Sequence, residues 1–173
     1  EMVGHLAGEV KEAKERVKVA LKNVGIDLPP MKITVNLSPG DTRKDGSSFD
    51  LPIAIGILGA MNKIPQEQTK GTLFIGELGL NGEIKRVKGI LPIVQRAMQV
   101  GISRCIVPEE NAKEGGVVEG IKVVGVSSIS ELLSYLTAPK DQQDERISPT
   151  IILPGEILEN GSHQGRRLDF ADI

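Results

Sequence analysis

The sequence is poor in aromatic residues, with no tryptophan, one tyrosine and three phenylalanines, which make up 2% of its 173 residues. Proteins that bind single-stranded nucleic acids without sequence preference stack the bases on aromatic side chains, so this scarcity disfavours that kind of surface. Hydrophobic residues still make up 39% of the chain, an ordinary value for a globular protein. The core must therefore be built from valine, isoleucine, leucine and alanine.

Cysteine and histidine are almost absent as well. The single cysteine, Cys105, cannot form a disulfide within the chain, which fits a reducing cytoplasm. Its apolar neighbours predict a buried thiol. Neither His5 nor His163 has a second His, Cys or carboxylate at ligand spacing, so we predict no metal site.

The sequence also lacks long apolar runs and an excess of either charge. Without a run of about 18 apolar residues or a signal-peptide pattern, we expect a soluble cytoplasmic protein with no membrane contact. Its 21 basic and 23 acidic residues give a formal net charge of -2, which provides no general attraction to phosphate backbones. Contact with DNA would have to be local.

Two short basic clusters are the candidates for such contact: Arg43 with Lys44, and Lys85 and Arg86 with Lys88. The alternative is an ordinary solvated surface, which is what short charge runs usually mean.

The first part of the chain predicts a helix followed by a strand. Apolar residues from Val10 to Val24 recur at helical spacing, and Glu12 and Arg16 form a pair four residues apart on the predicted solvent face. Gly25 supplies a left-handed end to this helix. A strand over 32–37 and a loop over 38–48 should follow.

A second helix is predicted over 49–61, apolar on nearly all sides. Pro52 is tolerated only in a first turn, so this helix should begin near Ser48, which we expect to serve as a helix cap or to form hydrogen bonds in the loop. Gly56 and Gly59 should allow close neighbours.

The second half predicts alternating strands and helices. The pair Asn81-Gly82 is a strong hairpin signal between strands over 72–78 and 83–87. Ser128 can cap the last helix, because its hydroxyl can accept a hydrogen bond from a free amide of the first turn. The other predicted elements are a helix over 90–98 ended by Gly101, a strand over 104–107, a short helix over 109–113, a strand over 121–126, a helix over 129–136 and a strand over 150–153.

Two stretches resemble Lon protease. Residues 40–48 resemble the segment around its catalytic serine, with Ser48 at the position of the nucleophile. Residues 76–84, Gly89 and 107–111 resemble the segment that supplies its catalytic lysine. In this chemistry the lysine accepts the proton of the serine, since a serine hydroxyl is a weak nucleophile without a base.

The lysine position falls on Leu91, whose aliphatic side chain cannot accept a proton. Lys88 lies about one helical turn earlier, but beside Lys85 and Arg86 it is better suited to a solvated or anion-facing role. We therefore expect no catalytic residue here, with Ser48 as a vestige.

A further resemblance is to the magnesium-chelatase-related AAA+ family of the ComM type, and it extends from about residue 3 to residue 136. It is carried by residues 10–17, 20–23, 33–37 and 48–54 and by the hairpin segment. The pair Phe49-Asp50, in place of the small residues of active Lon, is the pattern of this family. Residues 168–173 resemble its junction to an ATPase module.

The resemblance implies an α/β (α+β) fold of the Lon-protease-like kind, in the ribosomal-protein-S-five-like superfamily: a mixed sheet packed with helices and followed by an extended tail. It implies a domain over 1–138 that lacks its first strand pair, and a linker with the start of the junction over 139–173. No G-x-x-x-x-G-K-[ST] motif is present. We therefore expect no cofactor here, and ATP and magnesium in an AAA+ module beyond Ile173.

The implied function is that of a noncatalytic domain in a homohexameric ATPase that remodels DNA, through branch migration in recombination or natural transformation. The domain would serve assembly, coupling or DNA contact. Two alternatives stay open: a residual serine peptidase with Ser48 as nucleophile, and the Lon-like domain of a RadA-type recombination protein, in which the ATPase precedes the domain.

Overall fold

Helices and short strands alternate along the chain in a computed structural model that describes residues 2–3, 7–29, 35–36, 48–143 and 151–152, with side chains described within 11–29 and 48–143. The elements are β1 (Met2–Val3), α1 (Ala7–Asn23), β2 (Val35–Asn36), α2 (Asp50–Ala60), a 3-10 helix (Gln66–Gln68), β3 (Thr72–Phe74), β4 (Glu77–Leu78), β5 (Ile84–Lys85), α3 (Ile90–Gln99), β6 (Arg104–Pro108), a 3-10 helix (Glu109–Asn111), α4 (Ala112–Gly115), β7 (Lys122–Val126), α5 (Ile129–Thr137) and β8 (Ile151–Ile152).

The predicted helix ends are confirmed where the local chemistry is strong. Gly25 follows α1 with a φ of 89° and Gly101 follows α3 with a φ of 91°, conformations that glycine adopts at little cost. At the start of α5 the Ser128 hydroxyl accepts a hydrogen bond of 3.1 Å from the Glu131 amide. Each signal lies within a few residues of the boundary it sets, so the sequence is sufficient to find it.

Helix α2 is buried on most sides, but its glycines do not make the predicted close contacts. A Cβ atom on Gly56 or Gly59 would meet nothing within 4 Å among the described residues. Both glycines instead line an open groove of about 870 Å³ between α2 and β3, together with Phe49, Pro52, Thr72 and Phe74 among others. The prediction was wrong because composition identifies a small residue without showing which neighbour it faces.

The central sheet has four strands in the order β3-β6-β7-β8. Strand β6 pairs in parallel with β3 and β7, while β8 pairs antiparallel to β7, so the predicted mixed sheet is confirmed. Strands β4 and β5 form a separate antiparallel hairpin, and β1 pairs in parallel with β2.

Hydrophobic clusters cover both faces of this sheet. In β6 the side chain of Ile106 belongs to one cluster, while Cys105 and Val107 belong to the other; in β7, Val124 and Val123 are divided in the same way. This alternation has the two-residue period of a strand with both faces buried. The first cluster includes residues of α1, α2 and α5, and the second includes residues of α3 and α4.

The predicted strand over 72–78 is interrupted. Thr72–Phe74 belongs to the central sheet, whereas Glu77–Leu78 belongs to the hairpin. At the break, the Gly76 amide donates to the Ser48 carbonyl at 3.1 Å, and the Gly76 carbonyl accepts from the Leu51 amide at 3.0 Å. The chain changes sheets here because of a partner more than 20 residues away, which local patterning does not reveal.

Residues beyond the predicted boundary at 138 also contact the domain. Gln143 is buried, and its Nε2 atom donates to the Gln68 Oε1 atom at 2.8 Å and to the Ala138 carbonyl at 3.1 Å. Farther on, β8 lies within the predicted strand over 150–153 and pairs with β7. The remainder of the tail lies outside the described residues, and the division at 138 stays a prediction. Among the described helices, none is both long and apolar enough to cross a membrane.

Candidate functional site

The β4-β5 hairpin forms the first part of the candidate site. Glu77 lies opposite Lys85 and Leu78 opposite Ile84, as the Asn81-Gly82 signal predicted. The turn is closed by hydrogen bonds from the Gly79 amide to the Glu83 carbonyl at 2.9 Å and from the Gly82 amide to the Gly79 carbonyl at 3.0 Å.

Two helices hold the hairpin in place. The Asn23 side-chain amide, at the end of α1, donates to the Leu80 carbonyl at 2.6 Å. At the start of α5, the Ile129 amide donates to the Gly82 carbonyl at 2.9 Å. The Ile84 amide also donates to the Ser127 carbonyl at 2.8 Å. These bonds fix the strand that leads to the predicted cationic cluster.

The cationic cluster lies directly after this hairpin, and we call Lys85, Arg86 and Lys88 the basic segment. All three residues are exposed, while Val87 between them is 7% exposed and belongs to the second hydrophobic cluster. Within the described residues, none of the three cations forms an ion pair with a carboxylate. The structure therefore leaves three positive charges in solvent, on a backbone anchored by the buried residue among them.

A buried asparagine anchors the same residue from another element. Asn111 is 0% exposed; its Oδ1 atom accepts from the Val87 amide at 3.0 Å, and its Nδ2 atom donates to the Val87 carbonyl at 2.9 Å. Both polar groups of the side chain and both of the Val87 backbone are thereby satisfied. Sequence reasoning missed this role: the Lon-like segment over 107–111 included Asn111 without indicating its partner.

The other predicted cluster, Arg43 with Lys44, lies outside the described residues, as do His5 and His163. Within the described residues, no group of three or more His, Cys, Asp or Glu side chains is arranged to hold a metal ion.

Ser48, the vestigial nucleophile position, lies one residue outside the cap of α2. The cap is Phe49, which forms no side-chain hydrogen bond to the helix. Ser48 is half-buried and contributes its carbonyl to the contact with Gly76. Of the two roles expected for Ser48, the helix cap is wrong, because Phe49 occupies the cap position. The hydrogen bond in the loop is present, but it uses the backbone carbonyl and not the hydroxyl.

Leu91, at the position of the Lon lysine, is the second residue of α3 and packs in part against the second hydrophobic cluster. An aliphatic side chain in that setting supplies no base. Lys88 precedes the helix, separated from it by Gly89 with a φ of 73°, and it is exposed. The described residues thus offer Ser48 no lysine at the family position.

The single thiol is also unsuited to catalysis. Cys105 is fully buried in β6, as predicted, and burial raises the pKa of its thiol to about 11. The nucleophilic thiolate is therefore scarce near neutral pH.

These features define the class of protein: a mixed α/β domain with helices on both faces of its sheet and a hairpin joined to them, in which the described residues assemble no serine–lysine dyad. The family model described as "Subunit ChlI of Mg-chelatase" matches residues 1–111, and the chain belongs to this family. The resemblance to magnesium-chelatase-related proteins inferred from the sequence is confirmed.

Three relatives illustrate the range of similarity. Competence protein ComM of Haemophilus influenzae is 33% identical over 172 residues, covering 99% of this chain and 32% of ComM. Lon protease 2 of Bacillus subtilis is 32% identical over 135 residues, 77% of this chain and 24% of the protease. DNA repair protein RadA of Listeria monocytogenes is 36% identical over 112 residues, 65% of this chain and 24% of RadA.

The Lon-like fold class is therefore confirmed by the relatives together with the mixed sheet. The match to ComM extends over nearly the whole chain, whereas those to Lon protease 2 and RadA cover less of it. The chain spans about a third or less of the length of each of these relatives.

Proposed function

We propose that this chain is a noncatalytic domain of an AAA+ protein that remodels DNA in recombination or natural transformation, and that its basic segment contacts the phosphate backbone. The observation that carries the proposal is the set of three exposed cations without carboxylate partners in the described residues. The names of two relatives, a competence protein and a DNA repair protein, support a role near DNA.

The noncatalytic assignment is supported by Leu91. A serine hydroxyl needs a base within hydrogen-bond reach, and the position from which Lon takes its lysine holds a side chain packed against an apolar cluster. In this proposal the Lon-like fold is kept as a scaffold that presents the hairpin and the basic segment, and it serves assembly and coupling as well as DNA contact.

The energy for remodelling is assigned to another part of the full protein. We propose that an AAA+ module binds ATP and magnesium, that residues 139–173 form the connection to it, and that the complete protein works as a homohexamer in the cytoplasm. This part of the proposal rests on family membership and on the small share of ComM that the chain covers.

The basic segment suits phosphates better than it suits bases. Its cations lie on either side of the buried Val87, where they can contact phosphates. The segment is not a recognition helix of the kind that enters the major groove to read base edges. Binding through n phosphates should weaken with salt at a logarithmic slope of roughly -0.9 n for duplex DNA.

The test is the affinity of the protein for a forked DNA duplex, measured by fluorescence anisotropy across a salt series. The test variant replaces Lys85, Arg86 and Lys88 with alanine. The matched control replaces Lys63, Lys70 and Lys140, which are also exposed and lie outside the hairpin and the basic segment. We expect the test variant to bind more weakly and to reduce the magnitude of the salt slope by about 2 to 3. The control should do neither.

Two outcomes would overturn the DNA proposal. One is the absence of salt-sensitive binding by the protein. The other is an equal loss in both triple variants, because that would indicate a general effect of net charge.

A further inference from the structure

Val87 is the fixed point of the basic segment. Its side chain is buried against the second hydrophobic cluster, and its amide and carbonyl groups are both held by one side chain, that of Asn111. A pair of bonds that uses the amide and carbonyl of one residue is what a neighbouring strand would supply. Asn111 therefore substitutes for a strand at this point, from 24 residues away in sequence.

The residues around Val87 are constrained on both sides. The backbone of Lys85 lies opposite that of Glu77 in the hairpin, and Ile90, the first residue of α3, is fully buried. Between these ends the chain must pass through Gly89, whose φ of 73° is a conformation that other residues rarely adopt. Without the bonds from Asn111, the Val87 side chain would be the one remaining anchor that the described residues give to the stretch between Lys85 and Ile90.

We propose that Asn111 is the positioning residue of the basic segment: it holds the backbone from which Arg86 and Lys88 project, and so reduces the ordering cost of binding a phosphate backbone. This inference rests on the proposed function. A long cationic side chain loses conformational freedom when it binds, and a backbone that is already ordered limits that loss to the side chain itself. Asn111 is 0% exposed, so it acts through the backbone of Val87 and not by contact with DNA.

The key variant is Asn111→Leu, which keeps the size of the side chain and removes both hydrogen bonds. Because all three cations remain, the salt slope should be close to that of the unmodified protein, whereas affinity at a given salt concentration should fall about fivefold to tenfold. The alanine triple variant differs, since it should reduce the slope.

A loss of stability alone must be separated from a loss of positioning. Ile57→Val and Leu58→Ala create cavities in the first hydrophobic cluster, away from Val87. Whichever of them lowers the melting temperature by the same amount as Asn111→Leu serves as the control, and it should bind DNA like the unmodified protein. Equal loss of affinity in this control and in Asn111→Leu would overturn the positioning role.

A second measurement makes the inference independent of the DNA proposal. Hydrogen exchange of the Val87 amide, followed by NMR, should become about tenfold faster or more in Asn111→Leu, with increased motion over residues 85–89. If exchange at Val87 stays unchanged, the positioning role is wrong even where DNA binding holds. If exchange accelerates but the unmodified protein shows no salt-sensitive binding, the DNA proposal fails and Asn111 is an anchor of the fold alone.

Discussion

Arg16 binds Asp50 through two hydrogen bonds, from Nε to Oδ2 at 2.8 Å and from Nη2 to Oδ1 at 2.7 Å. The same Oδ2 atom accepts from the Leu78 amide at 3.0 Å. One carboxylate thus joins α1, α2 and the β4-β5 hairpin. Asp50 is fully buried, whereas the Arg16 side chain is 28% exposed, so the ion pair connects a buried carboxylate to a partly exposed guanidinium. The hydrogen bond to Asp50 is the main factor that raises the pKa of Arg16, and the guanidinium stays protonated.

Replacing Arg16 alone should lower the free energy of unfolding more than replacing Arg16 and Asp50 together. Arg16→Met leaves a buried carboxylate with one amide donor, and we expect it to lower the free energy of unfolding by about 3 kcal/mol. The double variant Arg16→Met with Asp50→Leu should lose less, because no charge remains to be buried. Urea denaturation of the two single variants and the double variant measures the coupling. Additive losses would contradict the finding that the two residues act as one unit.

This ion pair also marks the limit of what could be predicted from the sequence. Local signals were sufficient for the hairpin at Asn81-Gly82 and for the cap at Ser128. Arg16, however, was predicted to pair with Glu12 on the solvent face, and Glu12 is only the smallest of the factors that raise the pKa of Arg16. The hydrogen-bonded partner is Asp50. This partner lies 34 residues away, in a helix whose apolar composition gave no reason to expect a buried acid. Helical spacing identifies neighbours on one helix and says nothing of the helix that packs against it.

The residues of the candidate site also differ in whether the sequence could identify them. Lys85, Arg86 and Lys88 could be identified from composition, because charge is a property of the residues themselves. The roles of Asn111 and Gly76 could not, because each depends on a contact across more than 20 residues. Of the catalytic positions carried over from Lon, Leu91 was informative, because an aliphatic side chain cannot act as a base in any structural setting.

Gly82 tests how closely the hairpin approaches α1. Its φ is 87°, and a Cβ atom there would lie 2.4 Å from the Val24 Cγ1 atom. Gly82→Ala should therefore destabilise the protein by about 2 kcal/mol or more through combined backbone strain and overlap. Gly101→Ala is the matched control, since its φ is 91° but a Cβ atom would meet nothing within 4 Å in the described residues.

Thermal denaturation of both glycine variants separates the two effects. We expect Gly101→Ala to show the cost of the backbone conformation alone, about 1 kcal/mol. Adding Val24→Ala to Gly82→Ala should recover part of the additional loss, because the overlapping methyl group is gone. Equal losses in the two single variants would mean that the hairpin does not pack against α1 as described.

Cys105 should make stability depend on pH in the alkaline range. The ordinary pKa of a cysteine thiol is 9.0, and burial raises the pKa of Cys105 to about 11. Between these pH values the unfolded chain loses its thiol proton while the folded chain keeps it. The contribution of the Cys105 thiol to stability is therefore fully present below about pH 9 and is lost as the pH rises toward 11. The expected loss attributable to this group is roughly 2 kcal/mol.

Other groups titrate in the same range, so the measurement is the difference between the unmodified protein and Cys105→Ala. Urea denaturation at several pH values from 8 to about 11 should give a steeper decline for the unmodified protein. The folded protein should also react slowly with a thiol reagent at pH 8 and quickly after unfolding. Parallel pH profiles for the two proteins would refute the contribution of Cys105.

Ser48 should not react as a serine nucleophile. The position that holds the catalytic lysine in Lon is occupied by Leu91, which packs against an apolar cluster. Ser48 itself lies outside the cap of α2. We expect no labelling by a serine-reactive phosphonate probe, with Lon protease 2 of Bacillus subtilis as the positive control and Ser48→Ala as the matched negative control. The decisive comparison is between the unmodified protein and Ser48→Ala at equal concentration, after circular dichroism has shown that both are folded. Labelling of the first but not the second would require a base other than the family lysine, and it would restore the peptidase alternative.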